Sequence, residues 1–256
     1  MKVDGSVGLV TGGASGLGEG VVRMLARNGG RAAIFDLPSS GGAAIAEELG
    51  DAVEFFPVDV TDSAGVEESV GRVAERFGRI DLLMNCAGIS SGQKVVGRDR
   101  TPHSLAHFRK HVEVNLIGLF DVLRHVAVVM SENEPGEGGE RGLIVNVASI
   151  AALEGEAGQA SYSASKGGVV ALTLPLAREL SRHGIRVMCI CPGIMDTAML
   201  AGADDDLRER LTALSLFPKR LGTPEDVGQL VKGFMETTFL NGEVVRLDAA
   251  VRLGPR

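Results

Sequence analysis

A strand, a glycine loop and a helix follow one another directly at the start of the chain, and this order constrains the fold more than any other feature. Ser6-Val-Gly-Leu-Val-Thr11 is a short apolar run and reads as a buried strand. Gly12-Gly-Ala-Ser-Gly16-Leu-Gly18 comes next, after which Val21, Val22, Leu25 and Ala26 recur at helical spacing. Glycines let the backbone turn tightly and approach a pyrophosphate, which a helix N-terminus attracts. Gly12, Gly16 and Gly18 are therefore candidate dinucleotide-binding positions. Their spacing, Gly-x-x-x-Gly-x-Gly, differs from the commoner Gly-x-Gly-x-x-Gly, and a glycine turn without a ligand is the competing reading.

The rest of the chain repeats the alternation. Arg31-Ala-Ala-Ile-Phe-Asp36 is a second strand, ending in a carboxylate twenty residues after Gly16. A carboxylate there can accept hydrogen bonds from the adenosine ribose and would repel a 2′-phosphate. Leu37 and Pro38 follow, with no Arg, so the expected cofactor is NAD rather than NADP. A short helix over 43–49 and a strand over 53–58 lead to Asp59-Val60. Asp59 could bond an adenine amino group or cap the next helix. A helix over 66–77, a strand over 80–85 and the small residues Cys86-Ala87-Gly88 come next, the last leaving room for adenosine. Strands over 143–148, 185–190 and 243–247, helices over 105–130 and 224–235, and a helix that carries Tyr162 and Lys166 and ends at about Ser181 complete the pattern. Pro175 should kink the helix that contains it. Strands alternating with helices imply an α/β fold, a parallel sheet with helices on both faces and right-handed crossovers. No repeat or linker divides residues 1–256, so a single domain is expected. Residues 195–217 mix helical pieces with loop and suit a mobile substrate lid.

Composition excludes several classes. A net charge of −7 argues against a nucleic-acid partner, which calls for a basic face. No apolar run reads as long enough to span a membrane, so no insertion is expected. Three cysteines, Cys86, Cys189 and Cys191, cannot all pair, and they lack the further ligands of a metal site. Free thiols fit a reducing compartment, and the strand already under way at Ser6 leaves no visible signal peptide, so the cytoplasm is expected.

Tyr162-Ser-Ala-Ser-Lys166 carries the chemistry. On a helix, residues four apart share a face. A phenol is a poor base at neutral pH, with a reference pKa of about 10, and a nearby cation would lower that value. Such a pair can pass a proton to or from an alcohol or ketone oxygen. Tyr162 is the only tyrosine of the chain. Ser149, thirteen residues earlier at a strand end, could donate to the same oxygen, or be a strand-end residue and no more. Asn115, inside an expected helix, is a poor helix former there and reads as engaged with backbone or water, in a structural or catalytic role. Pro192-Gly193 should turn the chain at the nicotinamide end, where Thr197 could meet the carboxamide or a phosphate. Lys94, Arg98 and Arg100 form a solvated loop or meet a phosphate-bearing substrate tail. His103, His107 and His111 stand at i, i+4, i+8 without a completing ligand and read as a solvent-facing stripe.

Taken together, Thr11-Gly-Gly-Ala-Ser-Gly-Leu-Gly18, Asp59, Asn85-Cys-Ala-Gly88, Asn115, Ser149, Tyr162-x-x-x-Lys166 and Pro192-Gly193 resemble the short-chain dehydrogenase/reductase family across essentially the whole chain. The resemblance implies a Rossmann-type, doubly wound parallel sheet of about seven strands, usually in a homotetramer. It implies that Ser15, Leu17, Asp36, Asp59, Val60, Cys86, Tyr162, Lys166, Met195 and Thr197 contact NAD, with Ala87, Gly88 and Pro192 beside them, and that Ser149 and Tyr162 hold the substrate. Cys86 stands where most members have Asn. Phe35-Asp-Leu-Pro38, Asn133-Glu-Pro135 and Phe239-Leu-Asn-Gly-Glu-Val244 resemble members acting on 3-hydroxyacyl-CoA and on some hydroxysteroids.

On that likeness NAD accepts hydride from a secondary alcohol. Tyr162 is the general base, Lys166 lowers its pKa and binds the ribose, and Ser149 orients the substrate oxygen. Asn115 holds a water linking Lys166 to solvent. The rival readings are a hydroxysteroid dehydrogenase, an NADPH-linked 3-oxoacyl carrier-protein reductase, and a non-catalytic NAD-sensing interaction protein. Cofactor preference and substrate panels separate them.

Overall fold

The first strand of the computed structural model, β1 (Val7–Thr11), is buried along its whole length, because helices cover both of its faces. The structure describes residues 1–197, 200, 202 and 204–254. Ala198, Met199, Ala201 and Ala203, part of the expected lid, lie outside the described residues.

In chain order the elements are β1, α1 (Gly16–Arg27), β2 (Arg31–Asp36), α2 (Gly42–Leu49), β3 (Val53–Pro57), α3 (Ser63–Phe77) and β4 (Leu82–Asn85). Then come α4 (Leu105–Val112), α5 (Leu119–Glu132), β5 (Gly142–Val147), α6 (Ala160–Leu180), β6 (Ile185–Pro192), α7 (Asp205–Leu214), α8 (Pro224–Glu236) and β7 (Val244–Leu247). The seven strands form one parallel sheet in the order β3-β2-β1-β4-β5-β6-β7. This is the doubly wound sheet that the alternation implies.

Two apolar layers hold it together. Val66 and Val73 of α3, Val122 and Val126 of α5 and Val169 of α6 pack on one face. Val21 and Leu25 of α1, Ile45 of α2 and Val231 and Phe234 of α8 pack on the other. Each fully buried aliphatic side chain contributes about 1.5–3 kcal/mol by leaving water.

Two expectations change. The helix expected over 105–130 is interrupted by a wider π-turn, Glu113–Gly118, between α4 and α5. The whole stretch Leu105–Glu132 is long enough and apolar enough to cross a membrane by length and composition, with a mean hydropathy of 1.5 over 18 residues. The expectation that no run reaches that length is thereby corrected. Here Leu119, Val122, Val126 and Met130 of α5 are instead buried within the folded chain. The helix α6 runs over Ala160–Leu180 with Pro175 inside it.

Strand order reverses between β1 and β4. At such a switch point the loops after the two strands diverge and leave a crevice at the strand C-termini.

Candidate active site

A cleft of about 1130 Å3 occupies that crevice. The glycine loop, Asp36, Asp59-Val60, Cys86-Ala87-Gly88, Pro192, Met195 and Thr197 all line it, together with Ser149, Tyr162 and Lys166. Tertiary structure thus brings together residues spread over most of the chain.

The loop end is shaped for close backbone approach. Gly12 takes a φ of +63°, a region that side chains disfavour. A Cβ on Gly18 would run into the Gly12 carbonyl, so hydrogen alone fits between loop and helix. Thr197 folds over this loop: a Cβ on Gly16 would meet its methyl carbon at 3.4 Å. Thr11 Oγ1 accepts from the amides of Cys86 and Ala87, each at 3.1 Å, and so fixes the turn after β4.

Asp36 is tied to the same loop. Its Oδ2 accepts from the Ala14 amide at 3.0 Å and its Oδ1 from Leu37 at 2.8 Å. Asp59 Oδ1 accepts from both the amide and the hydroxyl of Thr61, at 2.9 and 2.8 Å. Asp62, accepting from Gly65, is the residue that caps α3. Helix capping therefore does not explain Asp59.

At the other end α6 carries Tyr162 and Lys166 one turn apart, beside Ser149 at the end of β5. Lys166 is 4% exposed, and its Nζ donates to the Val147 carbonyl at 2.8 Å. Burial pushes its pKa down to about 8. Burial likewise pushes the Tyr162 phenol above its ordinary range, partly offset by a hydrogen bond with Ser149. In the protein by itself the loss of water around the phenol outweighs the hydrogen bond from Ser149, while one N–H of the Lys166 ammonium is held by the Val147 carbonyl. Burial also pushes the Cys86 thiol up to about 12.

Asn115 sits behind the cleft in the π-turn, fully buried. Its Oδ1 accepts from the Ile89 amide at 2.8 Å, while Nδ2 donates to the Ile89 carbonyl and to Ser165 Oγ, both at 3.0 Å. Both amide protons are used, which explains structurally why an Asn occupies a helix interior. A Cβ on Gly88 would lie 3.1 Å from Asn115 Oδ1 and 3.4 Å from Lys166 Nζ, so both polar groups stand beside this glycine.

The histidines are not a solvent-facing stripe. His111 is 1% exposed. Ser91 Oγ lies 2.9 Å from His107 Nε2 and 3.3 Å from His111 Nε2, and the Ser91 amide donates to His111. His103 meets His107 edge-on and His107 tilts against His111, and the latter two brace the loop after β4 through Ser91. Among the described residues, no group of three or more His, Cys, Asp or Glu is arranged to hold a metal ion.

Two contributors escape sequence reasoning. Val147 acts through its carbonyl, which no side-chain pattern marks. Leu253 reaches the cleft from the tail after β7, and nothing local to it signals that.

Fold and site define a dinucleotide-dependent oxidoreductase. The sequence profile of the short chain dehydrogenases matches residues 6–208, and the chain belongs to that family, whose members act on CH–OH groups with a nicotinamide cofactor. Among known proteins it is 47% identical to 3-hydroxyacyl-CoA dehydrogenase type-2 of Bos taurus, over 99% of this chain and 98% of that one. It is 33% identical to 3-oxoacyl-acyl-carrier-protein reductase FabG of Thermotoga maritima, over 98% and 99%. The crystal structure of 3-hydroxyacyl-CoA dehydrogenase type-2 from Mycobacterium avium superposes with a TM-score of 0.94 at 39% identity, covering 98% of both chains.

Proposed function

We propose that the protein oxidises 3-hydroxyacyl-CoA to 3-oxoacyl-CoA with NAD⁺. The observation that carries this is the convergence of Ser149, Tyr162 and Lys166 on one end of a cleft whose other end holds Asp36 at a glycine loop. The names of relatives matched over nearly full length support the substrate class. Asp36 supports NAD: its carboxylate suits ribose hydroxyls and opposes a 2′-phosphate by like charge. That also speaks against an NADPH-linked reductase.

Bound NAD⁺ would supply the hydride acceptor and a positive charge that favours the phenolate. Tyr162 Oη takes the hydroxyl proton of the substrate. Ser149 Oγ donates to the same oxygen and holds it as charge develops. Lys166, anchored on Val147, binds the neighbouring ribose. Asn115 Oδ1 keeps a lone pair for a water that connects Lys166 to solvent. Lys94, Arg98 and Arg100 are exposed on a loop held to the Gly158 carbonyl by the Gln93 amide at 2.8 Å, beside the cleft residue Gln159. Their charges suit the phosphates of coenzyme A.

A homotetramer is part of the reading, supported by the exposed apolar side chains Ile117, Phe120 and Val128 on and beside α5. So is a cytoplasmic location without membrane insertion, supported by three free thiols, two of them buried.

Initial rates with 3-hydroxybutyryl-CoA, hydroxysteroids and acyl-carrier-protein thioesters, each with NAD(H) and NADP(H), test the proposal. Expected is turnover of the CoA thioester, with NAD⁺ favoured about a hundredfold, since a like-charge contact costs several kcal/mol. Oxidation of steroids alone, a preference for NADPH, or no turnover of any alcohol would each replace it with a named rival.

A further inference from the structure

The segment after β7 is bound into the walls of the cleft. Arg246 on β7 donates to Glu154 through Nη1 at 2.7 Å and Nη2 at 3.2 Å, and to Asp248 through Nε at 2.6 Å. The chain then reverses through Ala249 and Ala250, at φ of +48° and +62°. Non-glycine residues rarely adopt this region, and they keep it only where the surroundings over-determine it. Asp248 Oδ1 accepts from the Ala250 amide at 3.1 Å, and Arg246 Nη2 donates to the Val251 carbonyl at 2.8 Å. Arg252 stands 3.3 Å from both Glu154 and Asp248. The Leu253 amide donates to Glu154 Oε2 at 3.1 Å. One carboxylate, Glu154, therefore grips both the outgoing strand and the returning tail.

These contacts converge on the reaction site from three sides. Glu154 lies five residues beyond Ser149, on the same loop. The Gly193 amide, in the turn after β6, donates to the Leu247 carbonyl at 2.9 Å. The Leu216 amide, just after α7 at the end of the lid segment, donates to the Ala249 carbonyl at 3.0 Å. Leu253 ends the tied segment as an apolar side chain in the cleft wall, backed by the buried core.

We propose that residues 248–253 are a strap closing the substrate end of the cleft, in which Leu253 limits the length of the acyl chain and the Arg246–Glu154 pair positions it. The inference rests on the reading of the cleft as a hydroxyacyl-CoA site. A straight chain entering past Ser149 meets a wall fixed by ion pairs rather than by packing alone. Arg246 and Glu154 are positioning residues, and Leu253 is the one that touches substrate.

The test is kcat/KM of the full-length enzyme on short-, medium- and long-chain 3-hydroxyacyl-CoA. Apolar pockets discriminate single methylenes by about 10–200-fold. Leu253→Ala should raise the long-to-short ratio about tenfold, and Leu253→Phe should lower it. Glu154→Gln keeps the Leu253 side chain but loosens its anchor, and should move the ratio in the same direction as Leu253→Ala through KM rather than kcat. Unmoved ratios in the Leu253 variants overturn the strap. If the alanine variant does not fold, the phenylalanine variant still decides, because it must shift the other way. Failure of the unsubstituted enzyme on every thioester would instead remove the functional reading. Hydroxysteroids of graded bulk would then probe the same wall.

Discussion

Tyr162 can be followed on its own, because the chain has one tyrosine and no tryptophan. Burial holds its phenol above the ordinary value, so the tyrosinate absorbance of the free protein should rise only at pH above about 10. A raised acid pKa keeps the proton on at neutral pH. Added NAD⁺ should lower the midpoint by placing positive charge beside the phenol. A midpoint that NAD⁺ does not move would mean that phenol and nicotinamide never meet. Tyr162→Phe supplies the blank, and should lose about 10²–10⁴-fold in turnover while still binding NAD. The pairing of Tyr162 with Lys166 on one helix face was legible in the sequence. The direction of the pKa was not, because it depends on water lost to neighbours distant in the chain.

Among the elements, α1 and α8 approach most closely where glycines face each other. A Cβ on Gly20 would run into the Pro224 carbonyl, and one on Gly228 would come within 2.9 Å of the Gly20 carbonyl. Gly20→Ala should therefore force the helices apart. Overpacking of this kind costs about 1–3 kcal/mol, so the denaturant midpoint should fall with the slope unchanged. Because α1 begins in the glycine loop, NAD affinity should weaken in parallel. An unchanged midpoint would show that the pair relaxes freely. The apolar spacing of α1 marked its buried face in the sequence. Nothing in the sequence marked the π-turn at Asn115, because the groups that stabilise it, Ile89 and Ser165, lie 26 and 50 residues away.

For the whole molecule, the open question is what covers its apolar surface. Ile117 of the π-turn and Phe120 one turn on are 49% and 42% exposed, Val128 two turns further along α5 is 61% exposed, and Leu174 of α6 is at 46%. Such a stripe on two helices suits burial against copies of the same chain. Light scattering should give about four times the 26.7 kDa chain mass, and Val128→Asp should yield a smaller species. A monomer at micromolar concentration would refute the assembly.

Local spacing alone settled the alternation of strands and helices, the glycine loop before α1, the carboxylate of Asp36 and the shared face of Tyr162 and Lys166. Each of these is written within a few consecutive residues, by periodicity or by a turn that needs glycine. Only the folded chain decided that Lys166 faces the Val147 carbonyl, that His107 and His111 brace Ser91, and that the tail brings Leu253 to the cleft. Those outcomes depend on desolvation and on partners far apart in sequence, and no short window of residues encodes either.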